Sequence, residues 1–239
     1  MAAEEKETLI DGQGRPRFGI HAAPLASFNL EDYRPYGLQK SVSLKKRLIL
    51  RYRIKRWEYL GVCNDDVIFG AAVINLGYMC NFFAYLFDRR EKSLREYSIV
   101  RPGSGPADFE GTSLSGAVTF AAGNTSLSMI STPDTVVLEG SIGGELSINL
   151  LFRKYDEPLV CLTRVGLRGF NYTHKESGCP VQGEIVHRGR SLTIEPERSF
   201  GVCDFTLGHL ARNTCWNWAS GGGIDKDGNR VGFNCVQGY

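Results

Sequence analysis

The sequence predicts an all-β chain, folded as an antiparallel sandwich or barrel. Three observations carry this. Short apolar or alternating runs recur at intervals of about 8–12 residues, turn-forming residues separate them, and no long segment has a helical period. Glycine is abundant, at 28 of 239 residues, as many tight turns require. Hydrophobic residues make up 42% of the chain, enough to bury a sizeable core.

Residues 1–40 are punctuated by Gly and Pro and read as an extended N-terminal arm lying over a domain. Residues 43–56 carry Lys45, Lys46, Arg47, Arg51, Arg53, Lys55 and Arg56 and read as a solvated basic face. The net charge is only +2, so no nucleic acid partner is expected. Strands follow at 57–62, at 67–76 (apolar on both faces, hence central) and at 81–87, with a turn at Asn64-Asp65-Asp66. A charged turn at 88–92, a short helical turn near Leu94 and a Pro/Gly loop at 101–111 come next. Two hairpins follow, closing at Gly123-Asn124 and Gly143-Gly144. In the second, Leu146, Ile148, Leu150 and Phe152 share one face. Residues 158–165 form an apolar strand, and 181–187 pairs with 191–194 across Arg188-Gly189-Arg190. This organisation divides the chain into a first β-barrel half at 41–165 and the start of a second at 166–239.

Candidate chemistry concentrates near the end. Asp204, Thr206, His209 and Arg212 lie in what reads as a polar loop, with His209, Asp204 and Arg212 as an acid–base set. A hairpin follows, from the alternation of Trp216-Asn217-Trp218-Ala219-Ser220, the turn at Asp225-Lys226-Asp227-Gly228-Asn229, and the alternation of residues 231–236. Trp216 and Trp218 share a face suited to lining an apolar cavity, with Asn217 and Ser220 facing elsewhere. The polar burst of Asn171, Thr173, His174 and Lys175 lies between strands and reaches a barrel mouth. These residues and the hairpin's Trp216, Trp218, Asn217 and Ser220 make up the expected ligand-binding set.

The seven cysteines are widely spaced, odd in number and free of Cys-x-x-Cys, which favours reduced thiols and a cytoplasmic setting. The acidic start has no secretory character, and no apolar run approaches the ~20 residues of a membrane helix. Cys203, His209 and Cys215 lack the close pairing of zinc sites. In the Asp225 turn, Arg230 and Val236 occupy positions where a calcium loop needs Gly and Glu. No metal or cofactor is expected, and nucleophile elbows and phosphate-binding glycine loops are missing from the sequence.

Several blocks occur in a recognisable order: Lys55-Arg56-Trp57-Glu58-Tyr59, Asn171-Tyr172-Thr173-His174-Lys175, Pro180-Val181-Gln182-Gly183, Glu195-Pro196-Glu197-Arg198-Ser199-Phe200-Gly201 and Trp216-Asn217-Trp218-Ala219-Ser220-Gly221. Together they resemble the domain of unknown function 2804 family, from about residue 10 to the end. The resemblance implies a lipocalin-like, or calycin-like, fold and a distant similarity to carotenoid hydratases and related two-barrel proteins. Family members continue past the point where this chain stops, so the resemblance also implies a truncated second half. Residues 231–236 are then an open edge strand prone to self-association, because only Arg230 blunts it. The expected function is binding of an apolar small molecule, of isoprenoid, fatty acyl or polyketide type, in a β-barrel. The alternative is an enzyme that hydrates, cyclises or isomerises such a ligand through His209 and Asp204.

Overall fold

The computed structural model of the chain describes residues 8–35, 49, 52–154, 157–211, 213 and 215–237. The strands are β1 (Gly19–His21), β2 (Lys55–Cys63), β3 (Val67–Asn75), β4 (Met79–Asp88), β5 (Ser93–Pro102), β6 (Ala107–Gly111), β7 (Gly116–Ala122) and β8 (Thr125–Ser131). They continue as β9 (Thr135–Ile142), β10 (Leu146–Arg153), β11 (Leu159–Val165), β12 (Gly169–His187), β13 (Arg190–Ile194), β14 (Phe200–Gly208), β15 (Asn217–Ile224) and β16 (Arg230–Gln237). Fourteen of them form one antiparallel sheet along the path β5-β4-β3-β2-β14-β12-β10-β9-β8-β7-β6, with β11 and β13 also on β12, and β1 on β11. β15 and β16 form a separate hairpin.

The sheet curls, so that β3 meets β7 and β6 although six and seven strands respectively lie between them along the path. Its inner face is apolar. Leu60, Val62, Phe69, Val73, Phe82, Leu86, Phe120, Leu138, Leu150 and Phe152 are buried together there. Phe82 of β4 stacks on Phe120 of β7 with centroids 5.2 Å apart, tying the two ends of the sheet across the interior. A second cluster sits at one end, where Leu9, Ile10, Leu25 and Tyr33 of the arm cover Phe170, Tyr172, Phe205 and Leu207.

Strand β12 organises this arrangement. It runs for nineteen residues, pairing with β11 and β14 through its first half and with β10 and β13 through its second. Between Ser177 and Cys179 the register shifts at Gly178, whose φ of +77° suits a glycine bulge. The extra residue inverts the alternation. Before it the even-numbered Tyr172, His174 and Glu176 are buried alongside Phe205 and Cys203, and after it the odd-numbered Cys179, Val181 and Ile185 join the core.

Three segments differ from the sequence reading. The turn near Leu94 is β5, an edge strand whose Arg95 and Glu96 face solvent while Tyr97 and Ile99 pack on the core. Charged edges of this kind blunt strand addition and hide the alternation. Part of the 101–111 loop is β6, paired with β7. The polar stretches at 171–175 and 204–206 are strand residues of β12 and β14, buried on both faces because each face is covered. The basic residues Lys45, Lys46, Arg47 and Arg51 lie outside the described residues.

Truncating Phe120 to Ala should remove the ring that spans the interior, at a cost of about 3–5 kcal/mol of unfolding free energy. Denaturant unfolding reads this directly, and a loss below about 1 kcal/mol would contradict the bridging role assigned to the Phe82–Phe120 contact.

Candidate functional site

Alternation across β2, β14 and β12 sorts buried polar residues onto two faces. On the outer face, Trp57 and Tyr59 of β2 stand beside Thr206 and Asp204 of β14, which stand beside Thr173 and Lys175 of β12. Lys175 Nζ lies 2.5 Å from Asp204 Oδ1, and both side chains are nearly inaccessible to solvent. The Thr173 and Thr206 hydroxyls donate to the same carboxylate oxygen, each at 3.5 Å. The β15–β16 hairpin covers this pair. Trp216 stacks on Trp57 at 5.8 Å, Trp218 meets Tyr59 edge-on at 5.4 Å, and Lys175 Nζ sits 4.7 Å from the Trp218 ring centre, in a cation–π contact. Arg230 pins the hairpin's other end by donating to the carbonyls of Gly178, Ser199 and Pro196. The space left among Trp57, Lys175, Asp204, Thr206, Trp216, Trp218 and Val236 is about 20 Å³, room for a water molecule and nothing larger.

The sequence-derived residues are thereby divided. Trp216 and Trp218 do share a face, together with Asp204, Lys175 and Thr173, but that face closes over an ion pair rather than lining a cavity. Asn217 points to solvent. Ser220 does not face elsewhere: two residues on from Trp218, it shares the underside and meets Ser177 Oγ at 2.7 Å. His209 is buried on the arm side, its ring 6.0 Å from that of Tyr33, and Nε2 has no partner among the described residues. Burial, with Arg53 nearby, holds its pKa below the usual histidine value. His209 and Asp204 thus lie on opposite sides of the sheet, and the structure does not bring them together. Arg212 lies outside the described residues. Asn171 is fully buried in β12.

The inner face holds a polar group that the sequence reading passed over. Glu58 of β2 lies beside Phe205 of β14, which lies beside His174 of β12. His174 Nε2 is 3.2 Å from Glu176 Oε1, with both side chains buried. Ser131 of β8 reaches across the interior and donates to Glu58 Oε1 at 3.5 Å. Glu58 is 5% exposed, and burial raises its pKa to about 7, with Lys154 and Ser131 opposing the rise. In the same region, hydrogen bonding with Cys179 and then burial push the Cys203 thiol well above its usual pKa. The signal was present in the sequence: Glu58 occupies the same parity as Leu60 and Val62 in an otherwise apolar inward row.

A cavity of about 800 Å³ opens next to this row, between the arm and the inner face. Phe28, Leu30 and Tyr33 of the arm, Ile54 just before β2, Arg56 of β2, Phe109 of β6, Val118 of β7, and Phe205 and Leu207 of β14 line it. Arg34, Glu31 and Glu110 supply charge around the same space.

A curled antiparallel sheet with a covered internal cavity defines a lipocalin-like β-barrel class of protein. Within it, the chain belongs to the domain of unknown function 2804 family, whose model matches residues 1–239. The fold is also similar to a crystal structure from Nitrosomonas europaea, provisionally described as AttH, with a TM-score of 0.55 and 12% identity over 77% of this chain. This chain spans 65% of that protein's length. Comparison with curated proteins finds no match. No helix among the described residues is long and apolar enough to cross a membrane.

Two measurements check the electrostatics. Removing one partner of the buried Lys175–Asp204 pair, as in Lys175→Met or Asp204→Leu alone, should cost about 3–5 kcal/mol, while the Lys175→Met/Asp204→Leu double variant should recover most of it. Additive losses in that cycle would show that the pair is not energetically coupled. For Glu58, the native state binds the proton more tightly than the unfolded chain does. Its contribution is therefore fully present below the unfolded value of 4.5 and is lost as pH rises towards about 7. The unfolding free energy of the wild type relative to Glu58→Gln should fall by on the order of 3 kcal/mol across that window, and a flat difference would contradict the raised pKa.

Proposed function

We propose that this chain binds an apolar small molecule, of isoprenoid, fatty acyl or polyketide type, in the cavity between its N-terminal arm and the inner face of the sheet. The observation that carries the reading is the cavity itself. Its volume of about 800 Å³ falls within the range of small-molecule sites, and aromatic and aliphatic side chains form most of its wall with a few charged groups among them. The arm supplies Phe28, Leu30 and Tyr33, so the site depends on the docking of Leu9, Ile10 and Leu25 against the sheet. The seven free cysteines agree with a reducing, cytoplasmic setting. Acid–base catalysis shared between His209 and Asp204 gains no support, since the two side chains face away from each other across the sheet.

Incubation with a lipid extract followed by native mass spectrometry should recover a one-to-one adduct. Filling the cavity with Leu207→Trp should weaken that adduct by about tenfold or more, since it removes the volume that the ligand needs. Persistently ligand-free protein, or an adduct held equally well by Leu207→Trp, would contradict the reading.

A further inference from the structure

The apolar cavity adjoins a second, polar space. That space has a volume of about 470 Å³, and Tyr52, Asn75, Ser104 and Asp108 stand in its wall. The two spaces share Ile54, Arg56 and Phe109. Strand register sets the boundary. Arg56 of β2 pairs with Leu207 of β14 on one side and with Asn75 of β3 on the other. Leu207 walls the apolar cavity and Asn75 walls the polar space, so Arg56 stands where one gives way to the other. Arg56 has the parity of Leu60 and Val62 and so belongs to the inward row of β2. Its Nη1 donates to the Phe109 carbonyl at 3.4 Å, which holds the guanidinium at the junction. Asn75 is also fixed: Nδ2 donates to the Ala107 carbonyl at 3.1 Å, and Oδ1 accepts from the Gly77 amide at 2.9 Å.

We propose that the ligand is an amphiphile with a single carboxylate head, its hydrocarbon body in the apolar cavity and its head on Arg56 beside the polar space. A guanidinium donates two parallel N–H bonds to a carboxylate, and its weak hydration suits it to the edge of an apolar wall. The polar space lets the head keep water while the hydrocarbon body leaves it. Charge decides between a carboxylate and a more highly charged head. Arg56 is the only charged side chain common to both walls among the described residues. Arg34, in the apolar cavity's wall, donates to the carbonyls of Glu31 and Tyr33. The acids Glu31, Asp108 and Glu110 around the two spaces are exposed, and Asp108 accepts from the Phe109 amide at 2.9 Å. One shared cation among three acids balances one negative charge. A phosphate or diphosphate head would bring charge that Arg56 does not balance and that the acids repel.

This inference rests on the cavity being the binding site, and the experiment separates the two. Binding of hexadecanoic acid, its methyl ester and hexadecyl phosphate to the full chain is measured by titration calorimetry at about pH 7.5, where a carboxylate is ionised. The wild type should bind the acid about 10- to 100-fold more tightly than the ester, and more tightly than the phosphate. Arg56→Met should bring the acid down to the affinity of the ester while leaving the ester within about twofold. Arg56→Lys, which keeps the charge without the fork, should retain part of the preference. A role for Arg56 confined to bracing β6 would move acid and ester together. If the wild type binds none of the three, both readings fall. If it binds acid and ester equally, or if Arg56→Met keeps the preference, the head-group role alone is overturned, and the wild-type comparison decides this even if Arg56→Met does not fold. Tighter binding of the phosphate than of the acid would overturn the carboxylate assignment.

Discussion

The glycine bulge in β12 is the constraint on which the rest depends. A β-strand presents alternate residues to alternate faces, so a strand of nineteen residues would carry one parity inward along its whole length. The extra residue at Gly178 breaks that rule once. It lets the same strand bury Tyr172, His174 and Glu176 at one end and Cys179, Val181 and Ile185 at the other. It also brings the hairpin close. A side chain at Gly232 would collide with the carbonyl of Ser177, so the hairpin seats on β12 only because glycine stands there. Without the bulge, Val181 and Ile185 would turn to the outer face and the apolar interior between β10 and β14 would lose a wall.

The segregation of buried charge follows from the same ladder. Lys175 and Asp204 face each other across β12 and β14 on the outer side, with two threonine hydroxyls and an indole ring satisfying what the ion pair leaves over. Burying two charges costs several kcal/mol per ion, and the arrangement offsets this through short, complementary contacts. That is the signature of a structural pair. Glu58 on the inner side has one long hydrogen bond and a half-buried lysine nearby, so burial wins over charge and favours the protonated acid. The same three strands thus present a satisfied polar cluster to the hairpin and an under-satisfied one to the interior of the curled sheet.

The strands that alternate cleanly were legible in the sequence. The β7–β8 and β9–β10 hairpins carry Gly-Asn and Gly-Gly turns between strict apolar rows, and the turn at Asn64 is fixed by its side chain accepting from the amides of Asp66 and Val67. β12 was not legible as one strand because its parity changes at Gly178, so residues 171–175 and 181–187 read as a polar loop and a separate strand. β14 was hidden for a different reason. With both faces buried, Asp204 and Thr206 are paired by residues distant in sequence, and a polar residue in a strand looks like a loop until its partner is known. The candidate site shared this fate. Trp216, Trp218, Thr173, Lys175 and Asp204 do converge, but as a closed ion-pair cover. The cavity is built from the arm, β6, β7 and β14, a juxtaposition of distant segments to which no local pattern points.

The account holds that ligand chemistry belongs to the inner face beneath the arm and that the hairpin side is closed. Amide hydrogen exchange of the full chain, with and without saturating hexadecanoic acid, tests this most directly. Exchange should slow in residues 26–34 and 109–112, which wall the cavity, and stay unchanged in residues 217–224 and 230–237. Slowing confined to the hairpin, or seen nowhere, would contradict it.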